Sequence, residues 1–325
     1  RRAQAAHLAE AARLNLATVA WQIRGQLRAN LLDLAGATQR NGLLQQQLTL
    51  QQQVVRLLEQ QVQAGAIASA EALPLRITLA RVELDLAEAQ RLEAEARARV
   101  AGAIGVPTRA LDGVKLSFDW LKTTDGVGTL TSTEARRTAL QSRTDILGAL
   151  AEYAAAQSAL QLEVAKQYPD VRLSPGYQYD QGDNKWTLGL SVELPVLHQN
   201  QGPIAEAKGR RSEAAARFTA LQAKVLADLE RAVQGLRASE NSAARLRTLA
   251  EQQARRRDAV AAQYKAGATD QLDYLNAQLE SVTTELVQLE GQLKLQQAVG
   301  ALEEAVQPPL KWSPAIFESR QSPAR

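Results

Sequence analysis

The chain has 325 residues, of which 45% are hydrophobic and 4% aromatic, and its formal net charge is +3. It contains no cysteine and only two histidines, which excludes disulfides, thiol catalysis and metal sites built from cysteine or histidine. The near-balanced charge gives no reason to predict a nucleic-acid partner. Because aromatic residues are so scarce, we expect thin helical layers packed mainly by Ala and Leu.

The sequence repeats itself at an offset of 202 residues, which separates Gly65 from Gly267. The same offset pairs Ala64 with Ala266, Ala66 with Ala268, Leu27 with Leu229, Leu34 with Leu236, Leu73 with Leu275, Glu83 with Glu285, Leu84 with Leu286 and Pro107 with Pro309. Such a register predicts one structural unit used twice.

Each copy predicts a very long helix, a short glycine-centred turn and a return helix. Residues 1–63 and 203–265 contain almost no helix breakers, and the return helices are expected over 69–105 and 270–306, each ended by proline. Apolar residues three and four apart indicate coiled-coil packing. They are Leu44, Leu48, Val55, Leu58 and Val62, with Gln51 among them, and Leu272, Leu275, Leu279, Val282, Leu286, Leu289 and Leu293.

The segment between the copies changes character. Residues 106–133 predict an irregular region, in which Thr131 and Glu134 form a capping box that starts a short helix. A helix is then expected from Asp145 to Gln167. Alternating apolar and polar residues follow from Val171 to Tyr179 and from Leu188 to Leu194, with a turn at 181–185, and predict an antiparallel hairpin.

The hairpin has one apolar and one polar face, and Tyr177, Tyr179 and Trp186 lie near its tip. This pattern is typical of a membrane β-strand pair, but it equally fits a soluble hairpin with one face on a core. The flanking sequence offers no other strands, which favours the membrane. One hairpin cannot close a barrel, so other copies of the chain must contribute.

The sequence shows no catalytic motif: no P-loop, no dinucleotide-binding turn, no nucleophile elbow. We therefore predict neither an enzyme nor a cofactor, and interpret His7 and His198 as surface or capping residues. Asp270 and Asp273 lie in the first turn of a helix, where the helix dipole favours carboxylates. The alternative for them is a ring of carboxylates at a pore constriction.

The order of motifs between the copies resembles the TolC-type outer membrane efflux family, and the sequence of the second hairpin is most similar to the branch that serves metal-cation efflux systems. The matching residues are Arg143 to Ile146, the Ala-rich helix with Ala149 and Ala154 to Ala156, Tyr168-Pro169, Gly176-Tyr177, Trp186 to Leu190, Leu194-Pro195 and Gln201 to Ala207. The resemblance implies a homotrimer in which each chain gives four strands to a β-barrel in the outer membrane lipid of a Gram-negative bacterium. Long helices of the three chains would form a periplasmic α-barrel.

In that scheme the protein is a passive exit duct for metal cations or small toxic molecules. An inner membrane pump supplies the energy, and a periplasmic adaptor joins pump and duct at the helical tips, here Ala64, Gly65, Ala66, Ala266, Gly267 and Ala268. The resemblance also implies an entrance gate at Tyr264 and Asp273, with Asp270 as a further candidate. Thr269 and Asn276 depart from the family pattern of an arginine and a second aspartate.

The rival hypothesis is a soluble periplasmic coiled-coil adaptor or scaffold. Two hairpins around a single β-hairpin favour the duct, because an adaptor needs one helical hairpin and several soluble β modules.

Since the chain opens at Arg1 without methionine, we expect a fragment that lacks the family's first β-hairpin. The fold expected is mainly α with a small β part, divided into a first helical hairpin (1–105), an irregular equatorial region (106–143), a helix leading to the membrane (144–169), a β-hairpin (170–195), a second helical hairpin (196–306) and a Pro-rich tail (307–325).

Overall fold

The computed structural model describes residues 1–114, 116–118, 132–168, 171–192 and 199–308. Its elements, in chain order, are α1 (Arg2–Gln63), α2 (Ser69–Ile104), a 3-10 turn (Thr108–Leu111), α3 (Ser132–Ser142), α4 (Thr144–Ala165), β1 (Val171–Asp180), β2 (Asp183–Val192), α5 (Gln201–Lys265) and α6 (Gln271–Val306). The predicted mainly α class with a small β part is confirmed. Thr131 of the predicted capping box, Leu194, His198 and the tail beyond 308 lie outside the described residues.

The two helical hairpins match the repeat in the sequence. The long helices α1 and α5 have 62 and 65 residues, and the return helices α2 and α6 have 36 each. Helix α5 starts two residues earlier than predicted, at Gln201, because a proline such as Pro203 is tolerated in the first turn, where no intrahelical N–H bond is needed. Within the described ranges, no helix combines the length and apolar character needed to cross a membrane.

The described residues form two compact units, and the long helices pass through both. One unit comprises the described residues within 20–136 and 228–306, and the other comprises those within 1–19, 137–227 and 307–308. The division of the chain into the six segments expected from the sequence stays a prediction.

Two apolar clusters stabilise the unit that holds the hairpin turns. Near the turns, Val54 and Leu58 of α1 and Leu275 of α6 are buried together. At the other end of the same unit, a second cluster joins α1, α2 and the 3-10 turn through Leu34, Ala96, Val100, Ala101 and Leu111. The predicted seams are confirmed: their members are buried or half-buried.

In the other unit, the sequence Arg143 to Ile146 forms the start of α4. The Arg143 guanidinium pairs with the Asp145 carboxylate at 2.7 Å, and Oδ1 of Asp145 accepts a hydrogen bond from the Ile146 N–H at 2.8 Å. Ile146 itself is buried. The Thr144 hydroxyl lies 2.8 Å from that of Thr18, which joins α4 to α1.

The β-hairpin is antiparallel, as predicted, but its turn is shorter than expected. Asn184 and Lys185 pair with Tyr179 and Gln178, so the strands extend to Asp183 and the turn is only Gln181-Gly182. Both turn residues have positive φ, 52° and 96°, as in the two-residue type I′ turn that suits strand twist. The predicted five-residue turn at 181–185 is wrong, because polar residues pair through their backbones as well as apolar ones do.

Candidate functional site

The second hairpin turn is closed by backbone hydrogen bonds around Gly267. Its N–H donates to the Tyr264 carbonyl at 3.0 Å, and the Ala268 N–H donates to the Gln263 carbonyl at 2.9 Å. Gly267 has φ +71°, the left-handed conformation in which a side chain is disfavoured. This pair of bonds is the Schellman motif, which ends α5 and starts the return.

The first turn has the same backbone arrangement. The Gly65 N–H donates to the Val62 carbonyl at 3.0 Å, the Ala66 N–H donates to the Gln61 carbonyl at 2.9 Å, and Gly65 also has φ +71°. At both turns all three tip residues, Ala-Gly-Ala, are exposed. The sequence repeat therefore extends to backbone conformation, and each tip offers a small surface free of bulky side chains.

Asp270 and Asp273 lie beside each other at the start of α6. Oδ1 of Asp270 accepts a hydrogen bond from the Asp273 N–H at 2.8 Å, so Asp270 caps the helix. The Thr269 hydroxyl donates to Oδ2 of Asp273 at 3.0 Å. Both carboxylates are exposed at the tip, which fits the expected dipole role and leaves their negative charge at the surface.

Tyr264 does not stand alone at this tip. Its ring stacks on that of Tyr274, with the ring centroids 4.9 Å apart and the planes 1° from parallel. The Tyr274 hydroxyl accepts a hydrogen bond from Nε2 of Gln278 at 2.8 Å. The structure thus brings Tyr264, Asp270 and Asp273 to one tip, and their predicted role at an entrance stays a prediction. It adds Tyr274, which sequence reasoning missed. The sequence feature that could have indicated Tyr274 is its place seven residues after the tip glycine, Gly267.

The first tip is closed by an ion pair. Nε and Nη2 of Arg76 both donate to Oε1 of Glu59, at 3.0 and 2.7 Å. The repeat places Ala261 and Gln278 at the corresponding positions of the second hairpin. The two tips therefore share a backbone and differ in the side chains that connect their helices.

The apolar face of the β-hairpin is exposed along both strands. Its cross-strand pairs are Val171 with Val192, Leu173 with Leu190, Pro175 with Leu188, and Tyr177 with Trp186. Tyr177 and Trp186 are in ring contact, with centroids 4.7 Å apart, and Trp186 is 79% exposed. Tyr179 extends the same face and is also exposed. The opposite face carries Arg172, Ser174, Gln178 and Lys185 among others. The proposed role of the three aromatic residues in the membrane stays a prediction.

Among the described residues, His, Cys, Asp and Glu form no group of three or more that could hold a metal ion. His7 is half-buried on α1. A perturbed carboxylate occurs where the β-hairpin returns to the helices: the pKa of Glu163 is lowered, first by the Lys166 ammonium at 2.7 Å and then by the Asn200 amide at 2.9 Å. Asn200 also donates to the Glu163 carbonyl at 2.8 Å, so this group connects the end of α4 to the start of α5.

The fold has known counterparts among outer membrane channels. The outer-membrane channel OprN superposes with a TM-score of 0.76 at 20% identity, over 94% of this chain and 70% of that one. The outer membrane protein VceC from Vibrio cholerae gives 0.75 at 20% identity, over 94% of this chain and 74% of that one. At these identities the likeness establishes the fold: helical hairpins of the kind found in outer membrane channels, with a β-hairpin between them in the order of the chain.

Sequence comparison gives the family. The model of the family described as outer membrane efflux protein matches residues 135–306, more than half of the chain, so the chain belongs to that family. The resemblance drawn from the motifs is confirmed at this level. The cobalt-zinc-cadmium resistance protein CzcC of Cupriavidus metallidurans is 25% identical over 272 residues, which cover 83% of this chain. The chain spans 64% of the length of that relative.

Proposed function

We propose that the protein is the outer membrane exit duct of a tripartite efflux system and conducts its cargo passively from the periplasm to the outside. The observation that carries the proposal is the β-hairpin with an exposed apolar face, set between two matching helical hairpins in a chain of the outer membrane efflux protein family. An exposed face of Val, Leu, Tyr and Trp costs free energy in water and is stabilised in lipid. The proposed site is the outer membrane, with the helical hairpins in the periplasm.

The direct test is single-channel conductance of the full-length protein, extracted in detergent and reconstituted in a planar bilayer. We expect trimers with a defined conductance. A monodisperse soluble species without conductance would support the rival hypothesis, a periplasmic adaptor or scaffold. Family membership favours the duct over this rival.

A pair of adjacent substitutions tests the membrane face of the hairpin. Leu173→Arg places a charge on the apolar face, whereas Ser174→Arg places the same charge on the polar face. An arginine facing lipid costs about 2–4 kcal/mol near the bilayer midplane, so Leu173→Arg should abolish insertion while Ser174→Arg inserts normally. Equal insertion of both variants, measured by flotation with outer membranes, would remove the assignment of this face to lipid.

For the cargo, we propose divalent metal cations. The support is the similarity to CzcC, whose name assigns it to cobalt, zinc and cadmium resistance, together with the exposed carboxylates at the second tip. Deleting the gene should lower tolerance to these metals, and the plasmid-borne gene should restore it. Unchanged metal tolerance with increased sensitivity to dyes or detergents would assign the duct to small organic molecules.

We further propose that Asp273 gives the entrance a preference for cations. In a salt gradient, Asp273→Asn should shift the reversal potential toward zero, the value of a pore that does not distinguish cations from anions. Asp270→Asn is the companion variant: it removes the neighbouring charge, while asparagine keeps the helix cap, so any effect comes from the lost charge and not from a lost cap. If neither variant changes the reversal potential, the charge at this tip does not select cations.

The partners we propose are two further copies of the chain, a periplasmic adaptor that contacts both Ala-Gly-Ala tips and, through it, an inner membrane pump. Small residues let another backbone approach closely. Because the chain has no cysteine, single cysteines can map the contact. Ala66→Cys and Ala266→Cys should cross-link to the adaptor in cells, whereas Ala244→Cys on the exposed side of α5 should not. Equal cross-linking at all three positions would contradict tip docking.

A further inference from the structure

The two hairpin tips differ in the side chains that connect their helices. At the second tip, parallel rings of Tyr264 and Tyr274 lie 4.9 Å apart, within the range preferred by stacked aromatic pairs. The equivalent positions of the first hairpin are Val62 and Ala72, so no ring pair can form there. The stack is a property of the second tip alone.

The Tyr274 ring is itself held in place. Gln278 lies one helical turn further along α6, and its Nε2 donates to the Tyr274 hydroxyl at 2.8 Å. The repeat places Arg76 at this position in the first hairpin, where it pairs with Glu59 across the helices instead. Tyr274 is half-buried and Tyr264 is 38% exposed, so one residue faces the hairpin and the other retains an accessible surface.

We propose that Tyr274 is a positioning residue for the channel entrance: it holds Tyr264 against its own hairpin, and Gln278 fixes the orientation of Tyr274. This inference rests on the proposed function, since it assigns the second tip to the entrance. Opening the tip then requires separating the two rings. Salt screens the exposed ion pair at the first tip but has little effect on an aromatic stack, so the two tips respond differently to ionic strength.

The first measurement is amide hydrogen exchange of the two tips in the full chain. Tyr274→Val removes the ring, whereas Tyr274→Phe keeps the ring and removes only the hydroxyl. Since an aromatic pair changes a local equilibrium about two- to tenfold, Tyr274→Val should speed exchange at 262–270 by that factor, and Tyr274→Phe by much less. The control Arg76→Gln should speed exchange only at the first tip, and only at low salt.

The second measurement is the gating of the full-length protein in planar bilayers. Tyr274→Val should raise the open probability, whereas Tyr274→Phe should leave it close to that of the wild type. Adding Tyr264→Val to Tyr274→Val should change the open probability little further. These results would establish positioning, because two residues acting through one contact are not additive.

Two results would overturn the proposal while leaving the proposed function intact. One is unchanged exchange at the second tip in Tyr274→Val, which would show that the stack does not hold the tip. The other is faster exchange with unchanged gating, which would make the stack structural only. If the wild-type protein itself gives no conductance, the proposed function fails and the entrance role of Tyr274 fails with it, whatever the exchange data show.

Discussion

Replacing Gly267 by alanine should loosen the second hairpin tip without creating a clash. Gly267 has φ +71°, and no atom of the described residues lies within 4 Å of the position that an added Cβ would occupy. The cost is therefore that of the left-handed backbone, about 1–2 kcal/mol for an L-residue with a side chain. Gly65 has the same φ and the same open surroundings, so Gly65→Ala should cost the same at the first tip.

Hydrogen exchange is the suitable assay, because chains with long helices open locally before they unfold globally. The reporter at the second tip is the Ala268 amide, which donates to the Gln263 carbonyl. A loss of 1–2 kcal/mol corresponds to exchange about five- to thirtyfold faster at this amide. Gly267→Asn should have a smaller effect, because asparagine tolerates the left-handed region better than alanine does.

The matched control is Gly235→Ala, in the exposed middle of α5. In the part of the chain that the structure describes, an added Cβ there also meets nothing within 4 Å, but the backbone is helical. This change should stabilise α5 locally by about 0.5–1 kcal/mol and leave both tips unchanged. If Gly267→Ala leaves exchange at Ala268 unaltered while Gly235→Ala behaves as expected, the tip is not held by its left-handed glycine and the reasoning is refuted.

Three further predictions concern single side chains. Gln51 is buried at 4% exposure, and its Nε2 has no hydrogen-bond partner among the described residues. Gln51→Leu should therefore raise the free energy of unfolding by about 1 kcal/mol or more, measured by denaturant titration, and a loss of stability would mean that the amide is satisfied. Asp270→Ala removes a helix cap worth about 1 kcal/mol and should speed exchange at the Asp273 amide about fivefold. Asp270→Asn keeps the cap and should leave this exchange rate unchanged, so equal exchange rates in the two variants would exclude capping. The folded-state pKa of Glu163 is lowered, first by its hydrogen bond with Lys166. The stabilisation that the Glu163 carboxylate contributes is therefore complete above its ordinary pKa of about 4.3 and is lost as pH falls through the lower, folded-state pKa. Glu163→Gln should abolish this acid dependence of exchange at the start of α5, and an unchanged pH profile would contradict the assignment.

The sequence predicted the helical elements well, because the signals that start and end them are local. Helices α1 and α6 end within a residue of their expected bounds, and Gly65 and Gly267 occupy the left-handed positions that glycine at a helix end predicts. The face of each β-strand followed from its alternation. The length of the hairpin turn was not predicted correctly, because strand pairing continues through Asn184 and Lys185, whose polarity had suggested a loop.

The candidate site was predicted only in part. Tyr264 and Asp273 were candidates through the family resemblance, and Asp270 through its place in the first turn of α6. The structure brings the three to one tip, and their role at an entrance stays a prediction. Tyr274 was missed because its partner is ten residues away, on the other helix of the hairpin. The cap formed by Asp270 was anticipated only as a general dipole effect, since the hydrogen bond to the Asp273 N–H depends on the geometry of the turn.

The order and type of the elements and the duplication of the hairpin follow from local signals in the sequence, because helix breakers, alternation and glycine conformation act over a few residues. Which side of each helix is covered depends instead on how the helices pack together. Leu73 and Leu275 are equivalent in the repeat, yet Leu73 is 58% exposed and Leu275 only 3%, because Leu275 packs against Val54 and Leu58 of α1. Burial depends on neighbours that are distant in the chain, so two copies of one pattern acquire different surfaces.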